Sequence, residues 1–216
     1  MAPRNAGSRW DEISLTFAGV HLKKIFASLA MMVALPLLAA GQGHDLMRVR
    51  HVTDLAGHTH QLGETRGTKT VVLVFLGPEC PISQRYVPEL NRIALAHTNG
   101  VEFFGVISAP SISRTQAAEF AKDYALKFPV LFDDAGQLAR WMRPTHVPEA
   151  FVMKPDGDLL YHGRINDGFA APGRPRSILQ HHELRDAISA VLAGTSPRRS
   201  FAQPVGCYFE DWPGMK

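Results

Sequence analysis

Thr70-Val71-Val72-Leu73-Val74-Phe75-Leu76-Gly77-Pro78-Glu79-Cys80-Pro81-Ile82-Ser83 decides how the rest of the chain is read. Its first seven residues are an unbroken run dominated by β-branched and aromatic side chains, the pattern of a central strand buried on both faces. Pro81 and Ser83 open a helical stretch through Ala96, with Tyr86, Leu90, Ile93 and Ala94 on one face. Pro88 lies close enough to the start of that stretch to bend it and set its first turn apart. Cys80 therefore falls at the seam between a buried strand and a helix, where free amides and the helix dipole favour a thiolate. Pro81 costs little there, because its missing N–H is one of the helix's free donors anyway. Ser83 can donate its hydroxyl to the same sulfur across the first turn. Glu79 opposes this, since an adjacent carboxylate disfavours a second negative charge, although exposure screens it. The competing reading of Cys80 is a small buried hydrophobe. Its place after a buried strand, with Pro78 and Pro81 close on either side, favours a reactive thiol.

Working outward, strand-like and helix-like segments alternate. Upstream, Arg48 to Asp54 has a period of two, and Gly57 marks a turn into a short second strand ending near Leu62. Downstream, Val101 to Ser108 is a second buried strand, Ser113 to Tyr124 an amphipathic helix, and Pro129 to Phe132 a short strand. Asp134 to Met142 reads as a helix that stops before Pro144. Glu149 to Met153 and Leu159 to Gly163 form a hairpin around Lys154-Pro155-Asp156-Gly157-Asp158. A last helix runs from His181 to Leu192 and stops at Gly194. Parallel units followed by an antiparallel hairpin and a helix make an α/β sandwich with a mixed central sheet.

The chain has 216 residues, enough for one domain of ordinary size with extensions, and a formal net charge of +3. Its basic residues are scattered, and no stripe of Lys and Arg with interleaved aromatics appears, which favours a solvated, mildly basic surface and no nucleic-acid partner. Two cysteines, Cys80 and Cys207, are too few for a disulfide-stapled fold or a structural zinc site. They suffice for a reactive pair, or for one reactive thiol and a bystander. Near the N-terminus, Lys23-Lys24 precedes the apolar run Ile25 to Ala40, followed by Gly41-Gln42-Gly43-His44-Asp45. A basic flank, an apolar run, small residues and then polar sequence is the layout of a secretory signal. Left uncleaved, the same run would anchor the domain to a membrane. Export would set Cys80 in an oxidising compartment such as the periplasm, dependent on a dedicated reductant.

The stretch from Val71 to Glu89 around Cys80-Pro81-Ile82-Ser83 resembles the redoxin branch of the thioredoxin-like superfamily, which includes the alkyl hydroperoxide reductase/thiol-specific antioxidant (AhpC/TSA) proteins. Val147-Pro148-Glu149-Ala150-Phe151-Val152-Met153-Lys154-Pro155-Asp156-Gly157 is similar to that superfamily's cis-proline strand and following turn. The resemblance spans roughly residues 48 to 193. It implies a thioredoxin-like three-layer sandwich, a redox nucleophile at Cys80, and a cis peptide before Pro148 that packs beside the sulfur. It also implies thiol or disulfide substrates, protein or small-molecule, with hydroperoxides as an alternative, and an external thiol reductant. No cofactor or metal is implied. The chain departs from the family pattern in two places. Ser83 stands where thioredoxins have their second cysteine, so no disulfide can form within that turn. Gly77 stands where peroxide-reducing relatives carry Thr or Ser, which tells against peroxide reduction. Arg140, Arg143 and Arg164 are the candidates for the arginine that polarises a peroxide.

Cys207 lies in a proline-rich tail, preceded by Gly206, and a mobile tail reaches a distant sulfur at little entropic cost. A resolving role, in which Cys207 attacks an oxidised or mixed-disulfide Cys80, competes with a packed structural cysteine or one paired between chains. His146 precedes Val147-Pro148, and its protonated form near Cys80 would favour the thiolate. His51, His58 and His60 invite a copper reading, against which turn histidines without metal are the plainer one. The expected layout is an extension with a signal or anchor at 1–43, a thioredoxin-like domain at 44–194 and a tail at 195–216. The expected activity is an exported thiol oxidoreductase using Cys80 in thiol–disulfide exchange or peroxide reduction, with Pro148 shaping the site, Ser83 stabilising the thiolate and Cys207 resolving. The alternative is a binding or scaffold module on the same fold, with copper on its histidines.

Overall fold

The structure is a computed structural model that describes residues 51–62 and 69–215. The signal or anchor at 1–43, and the start of the domain through Arg50, lie outside the described residues. The chain opens with strands β1 (His51–Thr53), β2 (Thr59–Gln61) and β3 (Thr70–Phe75), then helix α1 (Pro81–Ala96), β4 (Val101–Ile107), α2 (Arg114–Asp123) and β5 (Val130–Phe132). It continues through α3 (Gln137–Met142), β6 (His146–Val147), β7 (Glu149–Met153), β8 (Leu159–Gly163), β9 (Phe169–Ala171) and β10 (Arg174–Pro175). Last come α4 (Glu183–Leu192), β11 (Phe201–Ala202) and β12 (Cys207–Tyr208). Among the described residues no helix is long and apolar enough to cross a membrane.

Six strands make the central sheet in the order β11-β8-β7-β3-β4-β5. All six residues of β3 are buried, because the strand is paired on both edges and covered on both faces. It runs parallel to β4 and antiparallel to β7, so the parallel and antiparallel halves of the sheet meet along it. This is the mixed α/β sandwich of thioredoxin-like proteins. The parallel strands β3 and β4 end side by side at Phe75 and Ile107, and the chain there turns toward Cys80 on one side and Ser108 on the other. In open sheets, ligand crevices form at the carboxyl ends of such strands.

Three elements differ from the sequence reading, each for a local reason. Pro88 lies inside α1 without breaking it. The proline removes one helix hydrogen bond, while Tyr86, Val87, Leu90 and Ile93 around it are buried and hold the axis. Helix α4 begins at Glu183 rather than His181, because the Asp167 carboxylate captures the amides of Gln180 (3.0 Å) and His181 (3.1 Å). Helix α3 begins three residues late. The Asp133 carboxylate accepts from the Leu138 (3.2 Å) and Ala139 (3.0 Å) amides, satisfying the first turn from outside it.

The tail also differs from a mobile arm. β11 pairs in parallel with β8, and β12 pairs antiparallel with β6. Phe209 is buried with its ring edge-on to Phe75 at 6.0 Å, and its amide donates to Thr145 O at 3.0 Å. The Trp212 indole donates to Ser108 Oγ (2.9 Å), which in turn donates to buried Asp133 (2.7 Å). These contacts seat the tail across the ends of β3 and β4.

Candidate active site

Cys80 caps α1, held by a turn in which its amide donates to Gly77 O (3.0 Å) and its carbonyl takes the first helical bond, from Gln84 (3.0 Å). The Gln84 side chain reaches back to Pro78 O at 2.8 Å and fastens the approach from β3. Only 3 % of Cys80 is exposed. Its sulfur donates to Val147 O at 3.1 Å, across the cleft. The Val147–Pro148 peptide is cis. Ser83 is fully buried, and its hydroxyl oxygen accepts from the Gly77 amide at 3.2 Å, which leaves its own proton free to face Cys80.

β12 lies directly on this loop. Cys207 is paired with Val147 and Tyr208 with His146, whose rings lie 5.1 Å apart. The pairing brings the Cys207 thiol and amide within hydrogen-bonding reach of the Cys80 sulfur, although both cysteines are free thiols. Gly206 permits that approach. A Cβ there would stand 2.0 Å from the Val147 carbonyl oxygen and 2.7 Å from its carbon, both main-chain atoms that cannot move aside. Gly77 has a matching reason: its Cβ would meet Val147 Cγ2 at 2.8 Å and Cys80 Cβ at 3.3 Å. The hydroxyl that the family resemblance leads one to expect at this position has no room.

Burial pushes the Cys80 thiol up, but donors from the Cys207 thiol, the Ser83 and Cys207 amides and the Ser83 hydroxyl more than offset it. Its pKa ends below the ordinary thiol value. The partner moves the other way. Burial, donation to Cys80 and the negative charge at Cys80 push Cys207 up to about 11. The pair therefore holds its first negative charge on the buried sulfur, with the exposed one as hydrogen-bond donor. This ordering predicts that one equivalent of iodoacetamide near neutral pH labels Cys80 before Cys207, as tryptic mapping would show. Accessibility alone predicts the reverse.

Glu149, absent from the sequence-based candidates, follows the cis proline and is 2 % exposed. Its carboxylate accepts from the Thr145 amide (2.8 Å) and hydroxyl (3.0 Å), the His146 amide (3.2 Å) and His162 Nδ1 (3.4 Å). Glu149 thereby clamps the segment that carries Val147. Burial raises its pKa, but the bonds from His162, Thr145 and His146 more than offset that, to a net value below the ordinary 4.5. A depressed folded-state pKa contributes stability above the unfolded value, lost as pH falls through the folded one. The gap in denaturation midpoint between the parent and Glu149→Gln is therefore expected to narrow as pH falls below about 4. Urea titrations at pH 7 and pH 3 measure it.

The remaining sequence candidates sit elsewhere. Arg164 pairs with Glu183, Arg140 lies over the Trp212 ring at 6.0 Å, and Arg143 caps α3 in a left-handed conformation. None of the three lines the cleft beside Cys80. His60 Nε2 and the His58 ring lie 2.7 Å and 3.4 Å from the buried Asp54 carboxylate. Among the described residues no group of three or more His, Cys, Asp or Glu side chains could hold a metal ion.

A model of the AhpC/TSA family matches residues 46–162, more than half of the chain, including Cys80 and the cis-proline loop. The chain belongs to the AhpC/TSA family. The family match ends before α4 and the tail, so Cys207 lies outside the AhpC/TSA region. Among curated proteins, this AhpC/TSA chain is similar to thiol-disulfide oxidoreductase ResA of Geobacillus kaustophilus, 31% identical over 110 residues, covering 50% of this chain and 61% of that protein. The ResA of Bacillus thuringiensis subsp. konkukian is 32% identical over 112 residues, covering 50% and 62%. The chain thus spans about three-fifths of the length of these relatives. Among solved structures, an uncharacterized conserved protein from Geobacillus kaustophilus aligns with TM-score 0.66 and 22% identity over 76% of this chain and 89% of that one. A hypothetical protein from Sinorhizobium meliloti 1021 aligns equally well, with TM-score 0.66 and 23% identity over 76% and 91%. At that identity the likeness is one of fold.

Proposed function

We propose that this AhpC/TSA-family chain is a thiol–disulfide oxidoreductase in which Cys80 attacks and Cys207 resolves. The observation that carries the reading is the seating of Cys207 against Cys80 by the β12–β6 pairing, with the two thiols pushed apart in acidity. The Cys80 thiolate attacks one sulfur of a substrate disulfide, forming a mixed disulfide and expelling the other sulfur as a thiolate that takes a proton from solvent. That step removes the charge on Cys80 and its acceptance of the Cys207 hydrogen. Two of the three causes that raise Cys207 vanish together, leaving burial. Cys207 then ionises, attacks the Cys80 sulfur and releases the second substrate thiolate. The substrate gains two electrons, the protein keeps a Cys80–Cys207 disulfide, and an external thiol reductant restores it.

Thiol–disulfide exchange is favoured over peroxide reduction for two reasons. Gly77 has no space for a hydroxyl-bearing side chain, and among the described residues no arginine lines the cleft. The reading also takes residues 44–194 as the redox domain, 195–216 as the tail that supplies the resolving thiol, and the run from Ile25 to Ala40 as an export signal or anchor. Insulin reduction, driven by dithiothreitol, tests the activity beside peroxide consumption under the same conditions. Disulfide turnover without peroxide turnover is expected. Peroxide consumption with a sulfenic acid at Cys80 would overturn the assignment.

A further inference from the structure

About 270 Å³ of space opens beside Cys80, between the ends of β3 and β4 and the tail. Its floor is apolar, with Leu76, Ile112, Val147 and Phe209 all buried. Among the described residues two carboxylates line it, Glu79 from the Cys80 turn and Glu210 from the tail, and neither Lys nor Arg does. Glu210 is held in place, because the Ser111 hydroxyl donates to its carboxylate. Tyr208 stands on the rim, 85% exposed, where it offers an aromatic face to whatever docks.

A cleft lined by buried apolar side chains, two carboxylates and an exposed aromatic ring matches one kind of side chain: a long aliphatic stem with a cationic head. We propose that the cleft selects peptide disulfides in which a Lys or Arg flanks the target cysteine, and discriminates against anionic disulfides such as that of glutathione. This inference rests on the proposed attack by Cys80 and names the substrate class of that same site. The stem lies on Leu76 and Ile112, the cation meets Glu79 and Glu210, and the ring of Tyr208 covers it. Glu79, which the sequence alone sets against the thiolate, acquires a use on the substrate side. Glu210 comes from the segment that carries Cys207, so a seated tail completes both the recognition and the resolution.

Capped peptides Ala-Xaa-Cys-Ala, activated as mixed disulfides with 2-thiopyridine, test the inference on the full chain, with Xaa as Lys, Gln or Glu. Attack by Cys80 forms the protein–peptide disulfide and breaks the peptide–thiopyridine bond. The leaving group carries off the electron pair, takes a proton, and is read by its absorbance. Rates are divided by each protein's rate with neutral iodoacetamide, so that changes in thiolate content cancel. Lys is expected to react about 10-fold faster than Glu at low salt, with Gln between them, and the ratio to fall as salt rises. In the Glu79→Gln/Glu210→Gln double variant the ratio is expected to fall below about 2. Formation of the Cys80–Cys207 disulfide in that variant at the parent's rate shows that its tail is seated. Equal rates for the three peptides, or a faster Glu peptide, would overturn the selectivity while leaving attack by Cys80 intact. No thiopyridine release from any peptide, with Cys80 still labelled by iodoacetamide, would instead overturn the oxidoreductase reading.

Discussion

Cys207→Ser is expected to leave Cys80 able to attack a disulfide and unable to let it go. In the parent, the mixed disulfide faces a second thiol held by strand pairing, and a well-placed intramolecular reactant is worth an effective concentration of at least about 10⁵ M in favourable cases. With serine there, only external thiol at millimolar concentration resolves the intermediate. Turnover with a protein disulfide should therefore fall by about 100-fold or more, and non-reducing electrophoresis should show the covalent complex accumulating. The substitution should also raise the Cys80 pKa, because the Cys207 thiol is a principal donor holding it down. The alkylation profile of Cys80 should move to higher pH. Cys80→Ser, by contrast, should remove exchange altogether and yield no complex.

Gly206→Ala is expected to produce nearly the same loss without touching either sulfur. The added Cβ collides with the main chain of Val147, so β12 must lift from β6 and carry Cys207 away. A lifted tail behaves as a flexible linker, whose effective concentration is in the millimolar range. The rate of Cys80–Cys207 disulfide formation should drop by about 100-fold or more, while the first attack on substrate persists. Stopped-flow thiol release followed by acid quench and mass analysis separates the two steps. Unchanged disulfide formation in this variant would mean that the tail reaches Cys80 by another route.

The fold and half of the site were legible in the sequence, for identifiable reasons. The run from Thr70 to Leu76 has no polar interruption, and only a strand buried on both faces accounts for it. Cys80 between two prolines marked the helix start, and Val147-Pro148 followed by a strand marked the loop across from it. Less visible were contacts between residues far apart in the chain. Nothing in Pro204-Val205-Gly206-Cys207 announces a two-residue strand on His146 and Val147, because a segment so short carries no periodicity. Glu149 did leave a trace: it is a lone carboxylate beside an apolar run, and a charge in such a place is kept only when amides satisfy it, whereas Asp133 is obscured by its neighbour Asp134. Gly77 was read as a missing hydroxyl, and packing against Val147 supplies the cause. Pro88 misled in the other direction, since a buried helix face outweighs one lost hydrogen bond.

The pairing of Cys80 with Cys207 is the claim on which the rest depends. Its most direct measurement is the mass and peptide map of the reduced full chain after one equivalent of a disulfide substrate, quenched with acid and digested without reductant. The expected result is a protein lighter by two hydrogens and a peptide joining Cys80 to Cys207. A substrate adduct that persists on Cys80 beside a free Cys207 thiol would contradict it.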